Sequence, residues 1–306
     1  MHSTAFLDGI RIVTMAQNVP GPLAAARLRQ AGAHVTKVEP PTGDPFLAVS
    51  PAWHAEMHAG TSIERLDLKA ERGQARMRAL LGDCDLFITS QRPSALARLA
   101  LDPDSLRSSN PRLRMLRIVG SVRDPEHPGH DLTYQAQAGL LADGMPRVLA
   151  ADVMASERVV ASALALLRQP QGSVADVGLV ESLEPLLASL RHGLTAPGGT
   201  LGGGAPRYRV YPTSAGRVAV AALETHFETR LYAELDLPAQ SDPSSRFLEH
   251  TAVEWEAWAR ERNLPIVAVR EAGWADSEQG TRIKGIKGSD PLDPSPLEPS
   301  LTPFSQ

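Results

Sequence analysis

The chain has 306 residues, a formal net charge of −4 at pH 7 and 42% apolar residues. That length and apolar content call for one large or two unequal domains with real cores. The mildly acidic, mixed charge argues against nucleic-acid binding, and no run approaches the length needed to span a bilayer.

The opening residues, MHSTAFLDGIRIV, lack the basic n-region and long apolar core of a signal peptide, so a cytoplasmic protein is expected. Ile10–Val13 is a short β-rich run, Gln17–Pro22 a turn, and Leu23–Ala31 a strong helix former ended by Gly32. Val35–Glu39 follows as a strand stopped by Pro40-Pro41. Such a βαβ unit implies parallel strands. Leu66–Lys69 reads as a further strand, Glu71–Leu81 as a helix, and Leu86–Thr89 and Leu116–Val119 as strands. The fold class is therefore α/β, with an open, doubly wound, mostly parallel sheet whose ligands lie beyond the carboxyl ends of the strands. Gln17–Pro22 occupies one such end, but there is no G-x-G-x-x-G or Walker sequence. Cys84 is the single cysteine and stands between Asp83 and Asp85, which disfavour a thiolate. It reads as structural, in a chain with no intramolecular disulfide and no multi-cysteine metal site. Arginine far outnumbers lysine, so an anionic ligand would meet guanidinium groups.

The stretch from Pro128 to Ala163 organises the rest. Gly129-His130-Asp131 precedes Leu132, Tyr134, Ala138 and Leu141, which recur at helical spacing. Asp152 ends an apolar extended run, Val148–Ala151, and opens a buried helix over Val153–Leu167. A carboxylate there can cap the first helical turn. His130 and Asp152 are two groups able to handle protons, each beside an expected helix start.

After Leu167, Val174–Val177 reads as a strand and Glu181–Arg191 as a helix. The glycine-rich stretch that follows is a linker or ligand-covering loop. Tyr208–Tyr211 and Val218–Ala222 flank a Ser214-Ala215-Gly216 turn as a hairpin, with helices after Leu223–Phe227 and over Glu254–Arg262. The expected organisation is a large Rossmann-like domain over 1–190, a linker over 191–204, a small α+β domain over 205–270 and a Pro/Ser/Asp-rich tail over 271–306. The tail reads as partly disordered or packed back on the large domain.

The pieces LDGIRIVTMAQNVPGPLAAARLRQAGAHVTKVEPPTGDP, LDLKAERGQARMRALLGDCDLFITSQRPSAL and GHDLTYQAQAGLLADGMPRVLAADVMASERVVASALALL occur in one order. Together with GGGAPRYRVYPTSAGRVAVAALETHF, they resemble the family III CoA-transferases, the group of formyl-CoA transferase and α-methylacyl-CoA racemase. The resemblance runs from about residue 6 to about 230. Gly129-His130-Asp131, and Glu224 shortly before Phe227, are closest to the racemase branch. It implies that acyl-CoA is the substrate, with no metal, and that two chains interlock as a homodimer, with chemistry between the large domain of one chain and the small domain of the other. It implies catalytic roles for His130, Asp152 and Glu224, and CoA contacts at Gln17, Lys37, Arg92 and Tyr134.

Epimerisation of a 2-methylacyl-CoA needs a base on each face of the α-carbon, one protonated and one not. Neutral His130 and protonated Asp152 fit those roles. In CoA transfer between carboxylic acids, Asp152 would instead be a nucleophile carrying CoA as an aspartyl thioester. A non-catalytic acyl-CoA binder is the third reading. The sequence departs from the family pattern at Glu64, where positive charge is expected, at Ser94, which replaces the glycine of Arg-Pro-Gly, and in a shortened C-terminal region.

Overall fold

The computed structural model describes residues 5–141 and 144–270. The chain divides into two compact units, Met1–Leu187 and Ala188–Gln306. The expected tail over 271–306 lies outside the described residues. Among the described residues no helix is long and apolar enough to cross a membrane.

The first unit runs β1 (Arg11–Thr14), α1 (Pro20–Gln30), β2 (His34–Glu39), α2 (Phe46–Val49), α3 (Pro51–Met57), β3 (Ser62–Arg65) and α4 (Glu71–Gly82). It continues through β4 (Leu86–Thr89), α5 (Pro93–Arg98), α6 (Pro103–Ser109), β5 (Arg114–Val119), α7 (Asp131–Gln137), α8 (Ala150–Arg168), β6 (Val174–Gly178), α9 (Leu179–Ser182) and α10 (Glu184–Arg191), which carries the boundary. The six strands are parallel in the order β3-β2-β1-β4-β5-β6. Strand periodicity sends Ile12, Leu86, Ile88 and Leu116 to one face, under α1 and α8, and Val13, Phe87 and Met115 to the other, under α4 to α6. Small residues at helical spacing on α8, Ala151, Ala155 and Ala163, are fully buried, which lets α8 approach α1 closely. Cys84 is buried, and burial, then the neighbouring Asp85 charge, pushes its thiol up to about 12.

Four expectations change. The strand expected at Leu66–Lys69 is β3, four residues earlier. Leu66 still donates its N–H to Glu39, but the Asp67 carboxylate then accepts from the Lys69 N–H and the chain turns into α4. The run Val148–Ala151 is not extended to its end: α8 begins at Ala150, which puts Asp152 inside its first turn rather than at the cap. The helix expected over Glu181–Arg191 is two helices. Pro185 has no N–H for the Glu181 carbonyl, which instead accepts from the Arg158 guanidinium at 2.9 Å. Pro20, expected in a turn, starts α1, where a proline loses no helical hydrogen bond.

The second unit contains a wide helical turn at Thr200–Gly204 within the glycine-rich stretch, β7 (Tyr208–Pro212), β8 (Arg217–Ala221), α11 (Thr225–Glu234), α12 (Ser244–Phe247), α13 (Ala252–Glu261) and β9 (Ile266–Ala268). The hairpin gains a third, unexpected strand: β7-β8-β9 is antiparallel throughout. Tyr211 stacks on Phe247 in its core, Trp255 meets Phe247 edge to face, and the Trp255 indole N–H donates to the Phe247 carbonyl at 2.9 Å.

Candidate active site

β1 lies between β2 and β4, so the chain leaves β1 to one side and reaches β4 on the other. The carboxyl ends of β1, β4 and β5 open there into a cleft, the place where open α/β sheets bind ligands. All its lining residues belong to the first unit, among them Gln17, Ser90, Arg92, His130, Tyr134 and Asp152.

The turn after β1 is held from two sides. The Gln17 N–H donates to Ser90 Oγ at 3.1 Å, tying it to the loop after β4. Asn18 sits at φ 63°, a left-handed conformation that asparagine tolerates, and its N–H donates to Asp44 at 3.3 Å. Asp44 also accepts from the Phe46 N–H at 2.9 Å. Burial raises the Asp44 carboxyl, but the Lys37 ammonium and these two N–H groups outweigh it and hold the carboxyl below its ordinary range.

A second wall is the segment between β5 and α7. At its start, Ser121 Oγ–H and the Val122 N–H donate to the Glu181 carboxylate at 2.7 and 3.1 Å. In its middle, Glu126 accepts from the N–H and Oγ–H of Ser94 at 2.7 and 2.9 Å. The departure from Arg-Pro-Gly at Ser94 thus supplies a tether for this wall. At its end, the His130 N–H donates to Thr133 Oγ1 and the Thr133 hydroxyl donates back to the His130 carbonyl, which caps α7. Gly120 and Gly129 make room for Tyr134: a Cβ at Gly129 would lie 2.6 Å from its ring, and one at Gly120 would lie 2.5 Å from its hydroxyl. The glycine of Gly129-His130-Asp131 is therefore required by close approach.

Asp152 reaches the cleft from the first turn of α8. Burial, then the charge of Asp131, pushes its carboxyl up to about 7. Burial and the Asp152 charge raise the Tyr134 hydroxyl as well, against the opposing charge of Arg92, which places these three groups within electrostatic reach of one another. The group that caps α8 is Asp131, not Asp152. Its Oδ1 accepts from the N–H groups of Ala151 and Asp152 at 2.8 and 3.1 Å.

Of the residues expected to act here, His130, Asp152, Gln17, Arg92 and Tyr134 line the cleft. Lys37 does not. Its ammonium is buried, 2.5 Å from Asp44, 2.7 Å from His58 Nε2 and 3.3 Å from Glu39, so the reading of Lys37 as a CoA contact is corrected. Burial, with the Lys37 charge, depresses the His58 imidazole despite its bond to the His54 carbonyl. A neutral His58 donates from Nδ1 to that carbonyl and accepts from Lys37 at Nε2. Glu39, Asp44, His54 and His58 offer ligand atoms within 4.8 Å of one another, a set able to hold a metal ion, but the Lys37 ammonium already provides the cation among them. Glu224 belongs to the second unit, where it is the N-cap of α11. Glu64 pairs with Arg76 at 2.6 Å.

Asn18, Ser90 and Asp131 were not picked out from the sequence. An asparagine before Pro-Gly-Pro is a signal for left-handed backbone, and Asp131 lay in view beside His130. Nothing in sequence spacing pairs it with an amide 20 residues on.

The fold and cleft define an α/β protein that sets a carboxyl held up to about 7 and a histidine beyond the ends of parallel strands. The chain belongs to CoA-transferase family III, whose family model matches residues 7–279. It is 33% identical to the probable fatty acyl-CoA transferase Rv3272 of Mycobacterium tuberculosis, over 56% of this chain and 49% of that protein. It is 28% identical to the alpha-methylacyl-CoA racemase of Mus musculus, over 90% of this chain and 75% of the relative. The first match therefore spans about half the length of the relative. A crystal structure of Rv3272 superposes with a TM-score of 0.78 at 23% identity, covering 91% of this chain and 87% of that one, a likeness of fold.

Proposed function

We propose that this chain processes acyl-CoA thioesters and epimerises 2-methylacyl-CoA by moving the α-proton. The observation that carries the reading is a carboxyl group held up to about 7 in the same cleft as a histidine. An acid–base catalyst works best when its pKa lies near the working pH. The imidazole of His130 takes the α-proton from one face, leaving an enolate thioester, and protonated Asp152 delivers a proton to the other face. For the opposite epimer the roles reverse. Arg92, exposed at the carboxyl end of β4, is suited to a phosphate of CoA. Glu224 takes part through a second copy of the chain in a homodimer, and the single buried cysteine suits a reducing, cytoplasmic compartment.

The test is wash-in of solvent deuterium at the α-carbon of a panel of branched acyl-CoAs, with no acceptor acid present. Exchange is expected, and Asp152→Asn and His130→Ala should each lower it by roughly 10²–10⁴-fold, the scale of positioned acid–base groups. Absence of exchange with CoA binding intact would sink the reading.

CoA transfer through an aspartyl-152 thioester is the second reading, favoured by the likeness to Rv3272. It needs Asp152 ionised, which the burial of its carboxyl opposes. Hydroxylamine trapping of a thioester on Asp152, with His130→Ala nearly as active as the wild type, would select it.

A further inference from the structure

Asp131 is 4% exposed and is not needed for either reading of the chemistry. Its carboxylate nevertheless makes three hydrogen bonds. Oδ1 accepts from the backbone N–H groups of Ala151 and Asp152, and Oδ2 accepts from Gln135 Nε2 at 2.5 Å. The same Gln135 amide donates to the Val148 carbonyl at 2.9 Å, so the residues leading into α8 are held by the same pair. Asp131 is also the first residue of α7 and follows His130 in the chain. One buried carboxylate therefore joins the backbone that carries His130 to the backbone that carries Asp152.

We propose that Asp131 is the positioning residue of this cleft: it fixes the first turn of α8, and with it Asp152, against the first turn of α7. This rests on the reading of Asp152 as a proton carrier. A neutral cap such as serine would satisfy the two N–H groups as well. An acid at this place does something a neutral cap cannot, because a like charge beside Asp152 disfavours its ionisation. The other charged or titratable groups lining the cleft with Asp152 are Tyr134 from α7, Arg92 from the loop after β4, and His127 and His130 from the wall between β5 and α7. Arg92 acts on the Tyr134 hydroxyl in the opposite sense to Asp152, lowering it.

Asp131→Asn keeps the shape and an oxygen for the two N–H groups but removes the charge. In protein with ¹³C-labelled aspartate, the Asp152 carboxyl resonance, assigned by its loss in Asp152→Asn, should titrate about one pH unit lower in Asp131→Asn than in the wild type. The limb of the exchange-rate profile that Asp152 sets, alkaline for the epimer it protonates and acid for the epimer it deprotonates, should move down with it, and Asp131→Ser should behave like Asp131→Asn rather than restore the wild-type profile. In the wild type, the amide protons of Ala151 and Asp152 should exchange at least about tenfold more slowly than the uncapped amides of other helix starts. That measurement does not depend on a variant folding. An unshifted Asp152 titration in Asp131→Asn, or unprotected amides at Ala151 and Asp152, would overturn the proposal. The carboxyl titration is read without substrate. If it shifts while the wild type exchanges no α-proton, the role of Asp131 stands and the racemase reading falls.

Discussion

A carboxyl held up to about 7 binds its proton more tightly in the folded chain than in the unfolded one, where Asp152 titrates near its ordinary 3.8. Between those two values the folded state holds the extra proton, so stability falls as pH rises from about 4 to about 7 and stays lowered above. The shift corresponds to about 4 kcal/mol as an upper bound, and the partial exposure of Asp152 brings the expected effect to about 1–3 kcal/mol. Asp152→Asn removes this burden. The variant's urea midpoint should exceed the wild type's by more at pH 8 than at pH 5. Asp44 has the opposite sign, its stabilisation being lost only as pH falls below about 4, so it does not confound a comparison made above pH 5. Equal midpoints at pH 8 would mean that Asp152 is not held protonated. At the same scale, the cleft was legible where the chemistry-bearing residue is also the lining residue, as at His130, Asp152 and Arg92. It was illegible at Lys37, whose type gives no sign of whether its ammonium meets a ligand or a buried carboxylate.

Among the elements, β2 is the one that departs most from ordinary strand chemistry. It buries Lys37, Val38 and Glu39 in succession; Lys37 meets Asp44 and His58, and Glu39 lies 3.3 Å from Lys37, 3.7 Å from Arg65 of β3 and 3.9 Å from His54 of α3. Removing one partner of a buried ion pair leaves the other uncompensated, so Lys37→Met should cost about 3–5 kcal/mol. It should also loosen the Asn18 turn that Asp44 holds. Adding Asp44→Asn to Lys37→Met should cost less than the two separate losses combined, because the second change removes a charge that the first leaves stranded. Urea titration of the four proteins measures this, and simple additivity would show that the cluster is not coupled. The same elements show what could be read beforehand. β1, β2, β4 and β5 are β-rich runs with marked ends and lie where the sequence places them, within two residues at each end. β3 is an edge strand with three exposed residues of four, so it carries no hydrophobic pattern. β9 has only three residues. The start of α8 is set by Asp131 from 20 residues away, which no local signal reveals. The break before α10 was legible at Pro185.

At the scale of the whole molecule, the three proposed catalytic residues fall in different units: His130 and Asp152 in Met1–Leu187, Glu224 in Ala188–Gln306. In the homodimer proposed above, each centre would take the large unit of one chain and the small unit of the other. That arrangement predicts complementation between two inactive variants. In a heterodimer of Asp152→Asn with Glu224→Gln, one centre would carry both substitutions and the other neither. Mixing the unfolded variants in equal amounts and refolding them together makes half of the dimers heterodimers, each with one intact centre of two. About a quarter of wild-type α-proton exchange should then return if the subunits pair at random. Each variant refolded alone should stay near its own low rate, and light scattering should report a dimer in all three samples. If Asp152 and Glu224 instead act within one chain, every centre in the mixture contains one damaged residue and no activity returns. A mixture no more active than the mean of its two components, with heterodimers demonstrated by mass, would remove the shared centre and return Glu224 to its role as the N-cap of α11.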